Sequence, residues 1–210
     1  MFFVNWRYCL YFMQRLPQIT ANLLKSAGDV DQVIKGNCIM AAPEINNIWT
    51  QLGKIDPHCF ACGFDNEHGL DMVFETNGSK LRSRVEVPSH LRGWSNLVHG
   101  GIISTMIDEA MSWTAIHLLK KLILTKSMKV EFKKPVKIGT PIIVYGFIVE
   151  EKNERAATMA AEIYDETGDL CARGEGEFAL FTMEQFAKMG VVSDDQLNEM
   201  AEMVEGTLKY

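Results

Sequence analysis

Two stretches of this chain hold residue types that could do chemistry. The first is Gly93-Trp94-Ser95-Asn96-Leu97-Val98-His99-Gly100-Gly101, which runs directly into an apolar segment bearing Asp108. A glycine pair opening a helix leaves free N–H groups accessible, and the helix dipole adds positive potential there. Such a place suits the negative charge that develops on a carbonyl oxygen under attack. The second stretch is His58-Cys59-Phe60-Ala61-Cys62, followed by His68. Its Cys-x-x-Cys spacing fits zinc or a redox pair, but a second cysteine pair is missing and no thioredoxin-like strand–helix context follows. No metal and no other cofactor is therefore expected.

The segment that must position the acid is Gly101 to Leu119, whose only carboxylates are Asp108 and Glu109. A helix this apolar is expected to be enclosed. At about 100° per residue, Gly101, Ser104, Thr105, Met111, Ser112 and Ala115 fall within roughly 60° of Asp108. Ile103, Met106, Ile107, Ala110, Trp113, Thr114 and His117 occupy the opposite side. The acid's face is thus mostly small and partly hydroxylated, which leaves room for a ligand or water. Gly101, Ser104, Thr105 and Ser112 are the candidate substrate contacts. Glu109, flanked by Ile102 and Ile116, looks less well placed.

Spacing along that helix sets a further condition. Gly101 and Asp108 lie about 10 Å apart along a helical axis. One Asp cannot act beside a carbonyl held at its own helix N-terminus, whereas two antiparallel helices across a dimer would bring acid and glycines together. The chemistry should then be shared between subunits.

Around the helix, the pattern reads as strands. Leu70–Thr76 and Leu81–Val87 are joined by Asn77-Gly78, a two-residue hairpin signal. Thr125–Lys133, Pro141–Glu150, Arg155–Tyr164 and Leu170–Phe181 alternate, with turns at Lys137-Ile138-Gly139, Lys152-Asn153-Glu154 and Thr167-Gly168-Asp169. Two strands, one buried helix and a run of four strands predict an α+β fold with a largely antiparallel sheet of five to six strands. Pro43–Leu52 is expected to be a short helix. Residues 1–39 are read as an N-terminal extension upstream of a second initiator candidate, Met40. Residues 40–182 form the domain, and 183–210 an acidic helical tail whose Leu197, Met200, Ala201 and Val204 make one apolar stripe.

Composition narrows the classes. The chain has 210 residues, with 47% apolar and 23% charged side chains, values of an ordinary globular domain. Lys and Arg number 21 against 27 Asp and Glu, a formal charge of -6. Without a basic stripe the chain is not expected to bind nucleic acid. No apolar run is long enough to span a bilayer. Five irregularly spaced cysteines (Cys9, Cys38, Cys59, Cys62 and Cys171) do not make a disulfide framework and point to a reducing compartment, the cytoplasm. His90, His117 and Cys171 are expected to be structural.

The order of elements, with His99-Gly100-Gly101 followed by Asp108, resembles the hotdog-fold acyl-CoA thioesterases of the PaaI-like type. The resemblance spans residues 57–181. It includes Cys59-Phe60-Ala61-Cys62-Gly63 with Gly69-Leu70, the Gly93-Trp94 element, Ile107-Asp108-Glu109-Ala110, and Thr125 through Phe132-Lys133-Lys134-Pro135. It implies a hotdog sheet wrapped around the central helix, and hydrolysis of an acyl-CoA or acyl-carrier thioester in a homodimer or a dimer of dimers. By position it implies that the Gly100 N–H, with Gly101 beside it, polarises the thioester carbonyl. Asp108 of the neighbouring subunit would be nucleophile or general base, His99 would orient the turn or contact the carbonyl region, and Thr125 would help position water. Several relatives carry Asn six residues before the His, where this chain has Gly93. A non-catalytic acyl-thioester binder and an enoyl-thioester hydratase are the alternatives.

Overall fold

In the computed structural model, which describes residues 48–54 and 56–205, the four long alternating segments are strands; tight turns join the last three, whereas the first pairs with the last and reaches the second through residues 133–140. They are β4 (Leu122–Phe132), β5 (Pro141–Asn153), β6 (Ala156–Asp165) and β7 (Leu170–Phe181). Before them come β1 (Thr50–Gln51), β2 (Phe74–Thr76), β3 (Leu81–Glu86) and the central helix α1 (Gly100–Leu119). All pairings are antiparallel, in the order β1-β2-β3-β5-β6-β7-β4. The expected α+β architecture, an antiparallel sheet around one apolar helix, is what the chain adopts. The N-terminal extension, residues 1–39, lies outside the described residues. No helix among the described residues is long and apolar enough to cross a membrane.

Two local expectations require correction. The described part of Pro43–Leu52 is extended rather than helical: Thr50 pairs with Thr76 and Gln51 with Glu75. Trp49 accounts for this, since its ring lies 4.0 Å from the Arg82 guanidinium and tilts onto Tyr145, drawing the segment onto the sheet. The result is a seventh strand beyond the expected five or six. The first hairpin strand is also shorter than 70–76. Asp71 has φ +47, and the Leu70 and Met72 N–H groups donate to the Phe60 and Ala61 carbonyls instead of a sheet neighbour. The cysteine loop is thereby laced to the chain that enters β2. The turn falls where the sequence places it but is longer than two residues: the strands close at Thr76 opposite Leu81, so Asn77–Lys80 lie between them, with Asn77 Oδ1 accepting from the Ser79 and Lys80 amides at 3.0 Å and Gly78 at φ +87.

The core lies between α1 and the sheet. Ile103, Met106, Ile107, Ala110, Trp113 and Thr114 are buried there, as the wheel requires, against Phe74, Val144, Met159, Ile163 and Phe178. Phe74 and Trp113 stack with centroids 5.1 Å apart. Met111 and Ala115, placed on the acid's face by the wheel, are also fully buried, so the open strip of that face is narrower. His117 is half-buried on the helix, and loss of water pulls its pKa down. Cys171 is buried in β7. Beyond the sheet, Thr182 and Gln185 form a reciprocal cap on α2 (Met183–Ala187). In α3 (Asp194–Glu205), Leu197, Met200, Ala201 and Val204 are all half-buried.

Two glycines let helix and sheet approach this closely. A Cβ at Gly146 of β5 would meet the Ala110 carbonyl at 2.5 Å and overlap Thr114 Oγ1, and one at Gly174 of β7 would overlap Ile107. Backbone and a β-branched side chain cannot withdraw easily. Gly146→Ala should therefore cost about 1–3 kcal/mol in urea unfolding. An unchanged midpoint would show that α1 is free to shift on the sheet.

Candidate functional site

The loop before α1 is pinned on several sides. Arg92 bridges Val98, and Leu97 bridges Lys137. The Val98 N–H donates to Val136 at 2.9 Å, and Asn96 accepts from Ile138 at 2.8 Å. Gly93 sits where a Cβ would come 3.1 Å from His99 Cα, so the turn closes directly on the histidine. His99 ends the loop in an extended conformation, φ -62 and ψ 138, and acts as the N-cap of α1.

This cap divides the first-turn amides unequally. His99 Nδ1 accepts from the Gly101 N–H at 3.0 Å, which requires the tautomer with its proton on Nε2. The His99 carbonyl accepts from Ile102 at 2.9 Å and from Ile103 at 3.2 Å. The Gly100 N–H has no acceptor among the described residues. One donor therefore remains where the sequence suggests a pair, and the ring of exposed Phe132 stands beside it. The Ser104 and Thr105 hydroxyls donate back to the Gly100 and Gly101 carbonyls, each at 3.0 Å, which leaves them only lone pairs for a ligand. Ser112, one turn beyond Asp108, is partly exposed and has no side-chain hydrogen-bond partner among the described residues.

Asp108 lies on the half-open face, and Thr125 Oγ1 donates to its Oδ1 at 2.9 Å. A register shift between Thr125 and Ser127 interrupts the β4–β7 ladder at this residue. Bulges of this kind re-aim side chains. Partial burial raises the Asp108 pKa above its ordinary value, while the threonine bond pulls it back. The acid and the threonine are thus brought together within one chain. Asp108 and the Gly100 amide are not, being eight positions or about 12 Å apart along the helix. Among the described residues the strand that carries Thr125 is the last in the sheet, with one edge unpaired and Leu124 and Phe132 exposed on it.

Glu109 is the residue the sequence undervalues. Its carboxylate lies with Cys59 Sγ and Cys62 Sγ in one group, all ligand atoms within 4.8 Å of one another. Trp113 Nε1 donates to Glu109 Oε1 at 3.0 Å. Removal from water, then the neighbouring Cys59 charge, pushes the Glu109 pKa up to about 7. Hydrogen bonding from Cys62 holds the Cys59 thiol low, helped by the Cys62 and Ala61 amides; its bond to Cys59 and its burial push Cys62 up. His58 and His68 stand outside this group: the His58 amide donates to Asp56, and His68 meets His90 edge-on. The Glu109–Trp113 spacing of one helical turn was visible in the sequence, but the cysteines reach Glu109 only through the folded loop.

Residues 95–172, from the loop before α1 into β7, match the family model described as the thioesterase superfamily. No curated protein sequence matches the chain. The crystal structure of a thioesterase superfamily protein is similar at 21% identity and TM-score 0.54, over 78% of this chain and 78% of that one. Zebrafish thioesterase superfamily member 2 is similar at 17% identity and TM-score 0.46, over 49% and 75%. A Streptococcus mutans protein solved bound to acetyl CoA is similar at 16% identity and TM-score 0.46, over 49% and 81%. The fold is the hotdog fold, and the resemblance read from the sequence holds at the level of the thioesterase superfamily.

The cap makes a separable prediction. His99→Ala should destabilise the protein by about 0.5–2 kcal/mol, and His99→Asn, whose side chain can also cap, should recover most of it. Urea unfolding of the two variants checks this, and equal losses would mean that the ring acts elsewhere.

Proposed function

We propose that the protein hydrolyses acyl-CoA-type thioesters to a carboxylic acid and a thiol, as a homodimer with two centres shared between subunits. The observation that carries this reading is the division of parts along α1. An uncommitted amide stands at the helix N-terminus, and an acid fixed by a threonine stands about 12 Å further along the helix, on its half-open face. A thioester carbonyl seated at Gly100 of one subunit would have its oxygen polarised by that N–H and by the helix dipole.

Asp108 of the partner subunit, held by Thr125, would take the proton of an attacking water or attack the carbonyl itself. Collapse of the tetrahedral adduct then expels the thiolate, which takes up a proton; where the carboxylate itself attacked, water hydrolyses the resulting mixed anhydride to release the acid and restore Asp108. His99 would hold the first turn through Nδ1, which accepts from the Gly101 amide, and its Nε2–H would be the atom that contacts the carbonyl region. Gly101, Ser104, Thr105 and Ser112 would contact the substrate, the last through a hydroxyl that has no partner among the described residues. The unpaired β4 edge and the open strip of α1 would form the dimer seam.

The test is thiol release across short, medium, long and aromatic acyl-CoAs. Asp108→Ala should lower turnover about 10²–10⁴-fold with the oligomer unchanged by light scattering. Wild-type rates in that variant would overturn the role of the acid. The amide can be removed as cleanly. Gly100 is the first residue of α1, where proline is well tolerated and lacks only the N–H, and His99 before it is already extended. Gly100→Pro should therefore fold normally and lose about 10²–10³-fold in kcat, while an unaffected kcat would show that the oxyanion is held elsewhere.

A further inference from the structure

We infer that Cys59, Cys62 and Glu109 form a binding site for a divalent cation of the zinc class, with one coordination position open to water. Three observations carry it. The ligand atoms, two sulfurs and a carboxylate oxygen, already lie within 4.8 Å of one another. A tetrahedral zinc with Zn–S bonds of about 2.3 Å holds its sulfurs roughly 3.8 Å apart, so closing on an ion requires side-chain adjustment and no change of fold.

The loop is also shaped for the purpose. The Gly63 N–H donates to the Cys59 carbonyl at 3.0 Å, and a Cβ at Gly63 would come within 2.5 Å of both the Cys59 and Pro57 carbonyls. This tight Cys-Phe-Ala-Cys-Gly turn brings both sulfurs to the same side, within reach of one ion. Finally, Glu109 is oriented from behind by the Trp113 indole N–H, the kind of bond that fixes a ligating carboxylate.

The donor set selects the ion. Two soft sulfurs with one carboxylate favour zinc over calcium or magnesium, which take oxygen ligands. Three protein ligands are one short of a closed structural site and leave a position for water. On binding, thiol protons leave to solvent and each sulfur forms a bond to the metal, with no redox change. The ion would clamp the 57–63 loop to α1 at the residue next to Asp108. The sequence alone could not show this, because Glu109 takes the place of the missing second cysteine pair.

The test uses the full chain, kept reduced and titrated with cobalt(II) alone. One cobalt should bind per chain, with a thiolate-to-cobalt charge-transfer band in the near ultraviolet that zinc abolishes. Cys62→Ser should remove the band. Glu109→Gln should weaken binding about 100-fold or more, and Trp113→Phe about 10–100-fold, with circular dichroism confirming that each variant is folded. Cys171→Ser, in β7, should leave the band intact. Absence of the band in folded wild-type protein would overturn the inference, as would cobalt affinity indifferent to both Cys62 and Glu109. The readout requires no turnover, so it fails or succeeds independently of the thioesterase reading.

Discussion

The structure depends on the rigidity of one helix. An α-helix advances 1.5 Å per residue, so the Gly100 amide and the Asp108 carboxylate stay about 12 Å apart whatever the loops around them do. Reacting groups must come within about 3–3.5 Å. On the proposed function, a single chain holding these parts would be half of two centres rather than the whole of one. The glycines at 146 and 174 lock this in, because the helix rests directly on the sheet at Ala110 and Ile107 and cannot turn without collision.

The hydrogen bonds around the helix start follow the same logic. Four amides at a helix N-terminus need partners or a ligand. Here His99 supplies acceptors for Gly101, Ile102 and Ile103 through its ring and carbonyl, which leaves the Gly100 N–H uncommitted among the described residues. Eight positions along the helix Thr125 donates to Asp108 Oδ1, so the acid has a fixed rotamer while its second oxygen has no hydrogen-bond partner among the described residues. Each end is thus held by a neighbour that does not compete for its remaining capacity.

Much of this was legible in the sequence because it rests on periodicity and local rules. The enclosed helix, the Asn77-Gly78 turn, the run of four strands and the acid's face all follow from spacing. The errors have physical causes. Trp49 is recruited by Arg82 and Tyr145, which are distant in sequence, so the segment read as helical became β1. Met111 and Ala115 lie within the wheel's arc of Asp108 but are fully buried, because tertiary packing around the helix is not contained in a helical projection. The glycine pair looks equivalent in sequence, and only the cap geometry shows that Gly101 is already bonded. Glu109 was passed over because its partners Cys59 and Cys62 reach it through the folded loop.

The most direct measurement of the shared centre mixes two inactive chains. Asp108→Ala and Gly100→Pro protomers, unfolded together at equal concentration and refolded, should pair at random, giving about half hybrids. Each hybrid contains one complete centre, made of Gly100 from one chain and Asp108 from the other, so thiol release should return to roughly a quarter of the wild-type rate. If amide and acid served the same substrate from within one chain, every centre would carry a lesion and the mixture would stay as inactive as its components.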